Sequence, residues 1–148
     1  MRNPLRFGHG VFLFVFNRDF SKILLIKRNE EKRNKYGFVW GTVGGKLEFR
    51  EFTIDGAIRE AKEEIGIKFK RSDLKKLKVR ELPNFTDNCH GFSFDYAAIL
   101  DEKTKIKTNE ESDGHKWFSL DNLPKDRMPE DNLVGIAKLA KKAFGGIW

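Results

Sequence analysis

The stretch that most constrains this chain is Thr53–Ile65, TIDGAIREAKEEI, which carries the pattern of a two-faced helix. Ile54, Ile58, Ala61 and Ile65 recur at helical spacing and form one apolar stripe, which has to be buried against another layer. Thr53 is placed to cap the start, and Gly66 follows the last turn as a C-cap does. On a different face stand Glu60, Glu63 and Glu64, at i, i+3 and i+4, within an arc of roughly 100°. Carboxylates this close repel one another. A hard divalent cation removes the conflict: Mg²⁺ takes oxygen ligands, typically one or two carboxylates together with substrate phosphates. For the three glutamates taken alone, a solvated acidic face is the competing reading.

The rest of the chain reads as strands around that helix. Gly10–Phe16, with its VFLFVF run, reads as a central strand that is apolar on both faces. The run follows Arg2 and Arg6 as a signal peptide would, but it is short and lacks a small-residue cleavage pattern. Asn17-Arg18-Asp19 is a turn signal, and Lys22–Lys27 is the returning strand of an expected hairpin. Asn29–Gly37 reads as a charged loop, and Val39–Val43 as a short strand running into Gly44-Gly45. Leu74–Arg80 and Gly91–Leu100 read as strands, the second with Phe92, Phe94, Tyr96 and Ala98 on one face. Lys116–Ser119 is a further short strand. Asp131–Phe144 reads as a terminal helix with Leu133, Ile136, Ala137 and Ala140 turned inward. This mixture predicts a mixed sheet covered by helices. The 148 residues show no repeat and no Pro/Gly-rich linker, which predicts a single domain over residues 1–148.

What precedes the helix narrows the chemistry. Gly44-Gly45 ends a strand and lets backbone approach a ligand. Lys46 sets a phosphate-seeking cation beside that turn. Glu51 stands just before the helix, and Arg59 can pair with it or with Glu63. Gly45, Glu51, Arg59, Glu60, Ala61, Glu63, Glu64, Gly66 and Ile67 together resemble the Nudix box at every fixed position. The resemblance continues in Trp40 upstream and in Trp117-Phe118-Ser119-Leu120-Asp121-Asn122-Leu123-Pro124 downstream. It departs at Val43, where many relatives carry Pro, and at Arg50, where many carry Gly; neither change removes a ligand.

The resemblance implies a Nudix-type α/β/α sandwich with a central mixed β-sheet. It implies a box at residues 45–67 that binds Mg²⁺, or Mn²⁺ in its place, together with a substrate diphosphate. By position, Glu60 and Glu64 are the implied principal metal ligands, Glu63 belongs to the same cluster, and the Gly44 carbonyl is a further ligand. Glu51 and Arg59 brace the box, with Gly45 and Gly66 as its structural glycines. A water activated by metal and carboxylate would then attack phosphorus. The general base stays open between Glu60 and Glu63 in the box and Glu110 and Glu111 in the loop before the Trp117 strand.

The implied activity is Mg²⁺-dependent pyrophosphohydrolysis of a nucleoside diphosphate derivative, with MutT-like cleavage of a nucleoside triphosphate as the leading case. Pro129–Leu139 resembles the corresponding end of MutT-type enzymes, in which an asparagine at the position of Asn132 hydrogen-bonds the base; Asn132 as a helix cap is the alternative. Pro83 lies 16 residues past the box, a feature of ADP-ribose pyrophosphatases, and keeps a nucleotide-sugar substrate open. Phe7, Tyr36, Phe38 and Phe85 are candidates to stack on a base. The net charge of +7 favours anionic partners, and Lys27, Arg28, Lys32, Arg33 and Lys35 form a basic run that could hold RNA 5′ ends. No RNA-binding motif accompanies it. Cys89 is the single cysteine, which excludes an intrachain disulfide, suits a reducing cytosol and reads as a buried thiol. No segment approaches the length of a transmembrane helix, so a cytoplasmic enzyme is expected.

Overall fold

A computed structural model describes residues 4–128 and 132–145. In chain order, β1 (Arg6–Phe16) turns into β2 (Lys22–Arg28), and α1 (Glu30–Tyr36) follows. Two short strands, β3 (Trp40–Gly41) and β4 (Val43–Lys46), lead into α2 (Thr53–Ile65). After a single 3₁₀ turn at Arg71–Asp73 come β5 (Lys75–Thr86), β6 (Cys89–Ile99), β7 (Ser112–Ser119) and α3 (Leu133–Ala143).

β1 is the axis of a seven-stranded mixed sheet. It runs parallel to β6 along its whole length, from Arg6 opposite Cys89 to Phe16 opposite Ile99. On its other edge it forks. Gly10–Leu13 pair antiparallel with β4, whereas β2 meets β1 only at Phe16 opposite Ile23. The expected β1–β2 hairpin is therefore a shared turn from which the strands splay. β2 gives its edges instead to β3 and to β7. The fork matters because it places the Gly44-Gly45 end of β4 over the middle of the sheet.

Alternation along β1 builds two cores, one on each face. Val11, Leu13 and Val15 pack with Ala57, Ala61 and Ile65 of α2, joined by Tyr96 and Ala98 of β6. Phe14 and Phe16 pack with Leu133, Ile136, Ala137 and Ala140 of α3. The α/β/α sandwich with a central mixed sheet is thus the observed architecture. The inward residues read from the terminal helix are the buried ones. Residues 129–131, including the expected helix start at Asp131, lie outside the described residues. Among the described residues, no helix is long and apolar enough to cross a membrane.

Two local expectations are corrected. The charged segment 29–37 folds into α1, although none of its residues is buried. Its ends explain it. The Asn29 side-chain oxygen accepts the Lys32 N–H, acidic residues occupy the first turn and basic residues the last, and Gly37 closes the helix with φ 81°. In α2, Thr53 lies inside the first turn and Phe52 is the cap residue. The Thr53 hydroxyl instead meets the Tyr96 hydroxyl at 2.6 Å, tying the helix start to β6.

Candidate active site

The start of α2 and the end of β4 meet through charge. The Arg59 guanidinium makes a bidentate pair with Glu51, Nε to Oε2 at 3.1 Å and Nη2 to Oε1 at 2.7 Å. The same group donates to the Lys46 carbonyl at 3.0 Å, to Glu60 Oε1 at 2.8 Å and to Glu63 Oε2 at 3.4 Å. The Glu51 Oε1 also accepts the Glu48 N–H at 2.8 Å. One arginine thereby locks the loop before α2 to the helix and to the last residue of β4. Its hydrogen bonds hold the Glu51 carboxyl below the ordinary glutamate range.

The three glutamates of one helical face do not share one environment. Glu60 is buried, and its carboxylate fills the space over Gly45: a Cβ at position 45 would lie 2.5 Å from Glu60 Oε1. Glu64 turns toward the same strand and accepts the Gly44 N–H at 3.2 Å. Burial, and after it the neighbouring Glu60 carboxyl, push the Glu64 carboxyl well above the ordinary glutamate range. Glu63 is different; its side chain is 53% exposed and reaches Arg59 only at long range. Among the described residues, no three His, Cys, Asp or Glu side chains already converge as a ligand set. The site offers instead a pair of carboxylates, Glu60 buried and Glu64 half-buried at the cleft, against a glycine turn. That pair needs a proton or a cation between its members, and oxygen donors of this kind suit a hard divalent ion.

A cleft opens beside this pair. Its walls include Arg28, Lys32, Thr42, Gly44, Glu64 and Glu111. Of the two late-loop glutamates, Glu111 faces this cleft, while Glu110 contributes its carbonyl to the Asn29 side-chain amide at 3.2 Å. Lys46 stands exposed at the end of β4. Asn132 caps α3, its side-chain oxygen accepting the Gly135 N–H at 3.1 Å. Cys89 is buried at the start of β6. Phe38 is buried under the Arg28 guanidinium, 4.7 Å from ring centre, whereas Phe7 and Phe85 lie exposed, with Pro83, around a second depression.

Sequence reasoning missed Thr42 and saw Arg28 only as part of a basic run. Thr42 is 3% exposed, and its hydroxyl has no hydrogen-bond partner among the described residues although it lines the cleft. A buried hydroxyl without a protein partner, beside a cationic wall, suits a polar ligand. Its nearness to Gly44 in the sequence was the available signal. Arg50, which departs from the box where many relatives carry Gly, adopts φ 68°, the left-handed conformation that glycine takes most easily. The fold keeps the turn that a glycine would make, with arginine in it.

Comparison with known proteins agrees with this geometry. The NUDIX domain model matches residues 6–139. A Bacillus subtilis (strain 168) protein provisionally named an 8-oxo-dGTP diphosphatase is 29% identical over 123 residues, covering 83% of this chain and 74% of that protein. An ADP-ribose pyrophosphatase of Methanocaldococcus jannaschii is 31% identical over 115 residues, covering 77% of this chain and 64% of that one. The chain thus spans about two thirds to three quarters of these relatives. Among solved structures, a MutT NUDIX hydrolase from Burkholderia pseudomallei superposes with TM-score 0.70 at 26% identity, covering 91% of this chain and 98% of the other. A bifunctional NMN adenylyltransferase/ADP ribose pyrophosphatase from Francisella tularensis, complexed with AMP and a Mn ion, shares the fold with TM-score 0.69 at 24% identity; the match covers 96% of this chain and 43% of that protein.

Proposed function

Since this chain belongs to the Nudix hydrolase family, enzymes that act on phosphoanhydride bonds, we propose that it is a Mg²⁺-dependent pyrophosphohydrolase of a nucleoside triphosphate, releasing monophosphate and pyrophosphate. The observation that carries this reading is the Glu60–Glu64 carboxylate pair, set against Gly45 and Gly44, with Glu60 buried and braced by Arg59 and Glu64 on the cleft wall. Glu60 and Glu64 would hold the cation, with the Gly44 backbone beside them and Glu63 at the solvent edge. When bound there, the ion would supply charge neutralisation on the diphosphate and activation of the attacking water.

The remaining work falls to protein groups. Arg59 keeps Glu60 in place and anchors Glu51 and the Lys46 carbonyl, so the turn does not drift from the helix. Lys46 and Arg28 present positive charge to phosphate oxygens from two sides of the turn, and the Thr42 hydroxyl donates to one of them. Glu111, on the cleft wall, takes the proton of the attacking water. Asn132 has its oxygen committed to the helix cap, which leaves its amide N–H₂ to donate to a base.

A nucleoside diphosphate sugar is the second reading, favoured by the 31% identity to an ADP-ribose pyrophosphatase. The RNA reading is weaker. Of the five cations in the basic run, Lys32 and Arg33 are engaged with Glu111 and Asp113. A hydrolysis screen separates these readings. It would compare nucleoside triphosphates (8-oxo-dGTP among them), ADP-ribose, nucleotide sugars and 5′-triphosphate RNA, with Mg²⁺ and with a chelator. Turnover of a triphosphate that stops with the chelator is expected. Turnover of ADP-ribose alone would transfer the assignment to the second reading, and turnover unaffected by the chelator would contradict the metal site.

A further inference from the structure

We infer that α1 is a positioning device for the catalytic loop, and that Lys32 acts as a positioning residue holding Glu111 at the mouth of the cleft. The inference rests on the reading of Glu111 as the base and adds the element that aims it.

Four contacts join α1 and its cap residue to the late segment, three to the loop before β7 and one to the start of β7. The Asn29 N–H donates to the Glu111 carbonyl at 3.1 Å. The Asn29 side-chain N–H₂ donates to the Glu110 carbonyl at 3.2 Å. Lys32 Nζ pairs with Glu111 Oε2 at 3.0 Å, and Arg33 Nη1 with Asp113 Oδ2 at 3.0 Å. Asn29 works in both directions, because its side-chain oxygen also caps α1 by accepting the Lys32 N–H at 2.9 Å. The same amide therefore fixes the start of the helix that carries Lys32 and the loop that carries Glu111. Within the loop, Asn109 Oδ1 accepts the Glu111 N–H at 3.0 Å, so both backbone polar groups of Glu111 are held.

The usual reasons for a helix do not apply to α1. It buries no residue, so it adds nothing to either core. Its ion pairs are exposed, with Lys32 at 33% and Glu111 at 56%, and pairs of that kind contribute little to stability. What the helix does achieve is geometric. Lys32 takes Glu111 Oε2 and leaves Oε1 without a hydrogen bond among the described residues, on a wall shared with Gly44 and Glu64. A general base has to sit within hydrogen-bond reach of the proton it takes, and a carboxylate on a loop meets that demand only when something holds it.

Steady-state kinetics with Mg²⁺ on 8-oxo-dGTP and on ADP-ribose test this, using whichever turns over. The set is wild type, Lys32→Ala, Lys32→Arg, Glu111→Gln and the Lys32→Ala/Glu111→Gln double variant, each with its melting temperature. Glu111→Gln is expected to lower kcat about a hundredfold, the lower end of what a general base supplies. Lys32→Ala is expected to lower kcat about tenfold at unchanged KM and unchanged melting temperature, and Lys32→Arg to restore most of it. In the Glu111→Gln background, Lys32→Ala should have no further effect, since the residue it positions is gone. Three results would overturn the inference while leaving the proposed activity standing: a rise in KM alone, which would make Lys32 a substrate contact; an equal loss in both backgrounds; or wild-type kcat in Glu111→Gln. Failure of the wild type to hydrolyse either compound would instead remove the proposed activity, and this inference with it.

Discussion

The two walls of the cleft are built on opposite principles. The inner wall, at β4 and α2, draws its charges into a part-buried network: Arg59 reaches four glutamates, Glu48, Glu51, Glu60 and Glu63, and a carbonyl, Glu64 takes a backbone N–H, and Glu60 fills the space that a side chain at Gly45 would need. The outer wall, at α1 and the loop before β7, uses exposed pairs and backbone hydrogen bonds. The contrast separates two uses of charge. On the inner wall, position and stability are the same property, because an unsatisfied buried charge is expensive. On the outer wall water can replace any lost partner, so position can be lost with little change in stability.

Adjacent glycines give the sharpest test of the inner wall. A Cβ at Gly45 meets the flexible end of Glu60, whereas one at Gly44 meets the Val11 carbonyl and the Phe12 ring at 2.4 Å. Gly45→Ala should therefore displace the carboxylate, lowering kcat/KM about a hundredfold, roughly 2.7 kcal/mol in the barrier, with a melting temperature near wild type. Gly44→Ala should instead lower the melting temperature, because backbone has to move. If both variants lose stability alike, the carboxylate is not what the Gly45 space accommodates.

Removing the brace comes next. Arg59→Ala leaves Glu51 and Glu60 without their cation and should destabilise the fold by about 2 kcal/mol in denaturant melts, less than the roughly 3–5 kcal/mol of a fully buried pair. An unchanged midpoint would place Arg59 among the exposed, weak pairs of the outer wall.

The raised Glu64 carboxyl gives a pH signature of smaller size. The unfolded chain ionises Glu64 in the ordinary glutamate range, while the metal-free fold keeps the proton to higher pH. Metal-free stability should then fall as pH rises from the ordinary range through the folded value, and level off above it. Stabilisation by saturating Mg²⁺, which needs the ionised form, should grow over the same window. Thermal melts with and without Mg²⁺ measure both, and Glu64→Gln should flatten both curves. The smallest effect belongs to the turn that joins β4 to α2 within the inner wall. Arg50→Gly relieves a left-handed arginine beside the exposed Phe49 and should stabilise by about 0.5–1 kcal/mol, the strain partly offset by glycine's entropy. A loss of stability would show that the Arg50 side chain contributes more than its backbone strain costs.

The same contrast explains what was legible in the sequence. α2 was readable to the residue because its apolar stripe and its Gly66 cap are local signals, and the inward residues of α3 were readable for the same reason. The box spacing placed three glutamates on one face, but it could not separate buried Glu60 from half-exposed Glu63. That difference comes from Gly45, brought over the helix by the fork in β1. α1 was missed because it has no buried face, so hydrophobic periodicity was silent. Its caps, Asn29 and Gly37, were in the sequence and were the signal to weigh. Thr42 was invisible because an orphaned hydroxyl is a fact of packing, not of pattern.

The central claim is that the Glu60–Glu64 carboxylate pair holds the cation needed for hydrolysis. The most direct measurement is the Mg²⁺-dependent kcat/KM of Glu64→Gln, with folding checked by circular dichroism and Glu63→Gln run beside it. A loss of about a thousandfold in Glu64→Gln, against about tenfold or less in Glu63→Gln, is the predicted result. A Glu64→Gln enzyme that retains most of its activity, or a Glu63→Gln enzyme that loses as much, would contradict it.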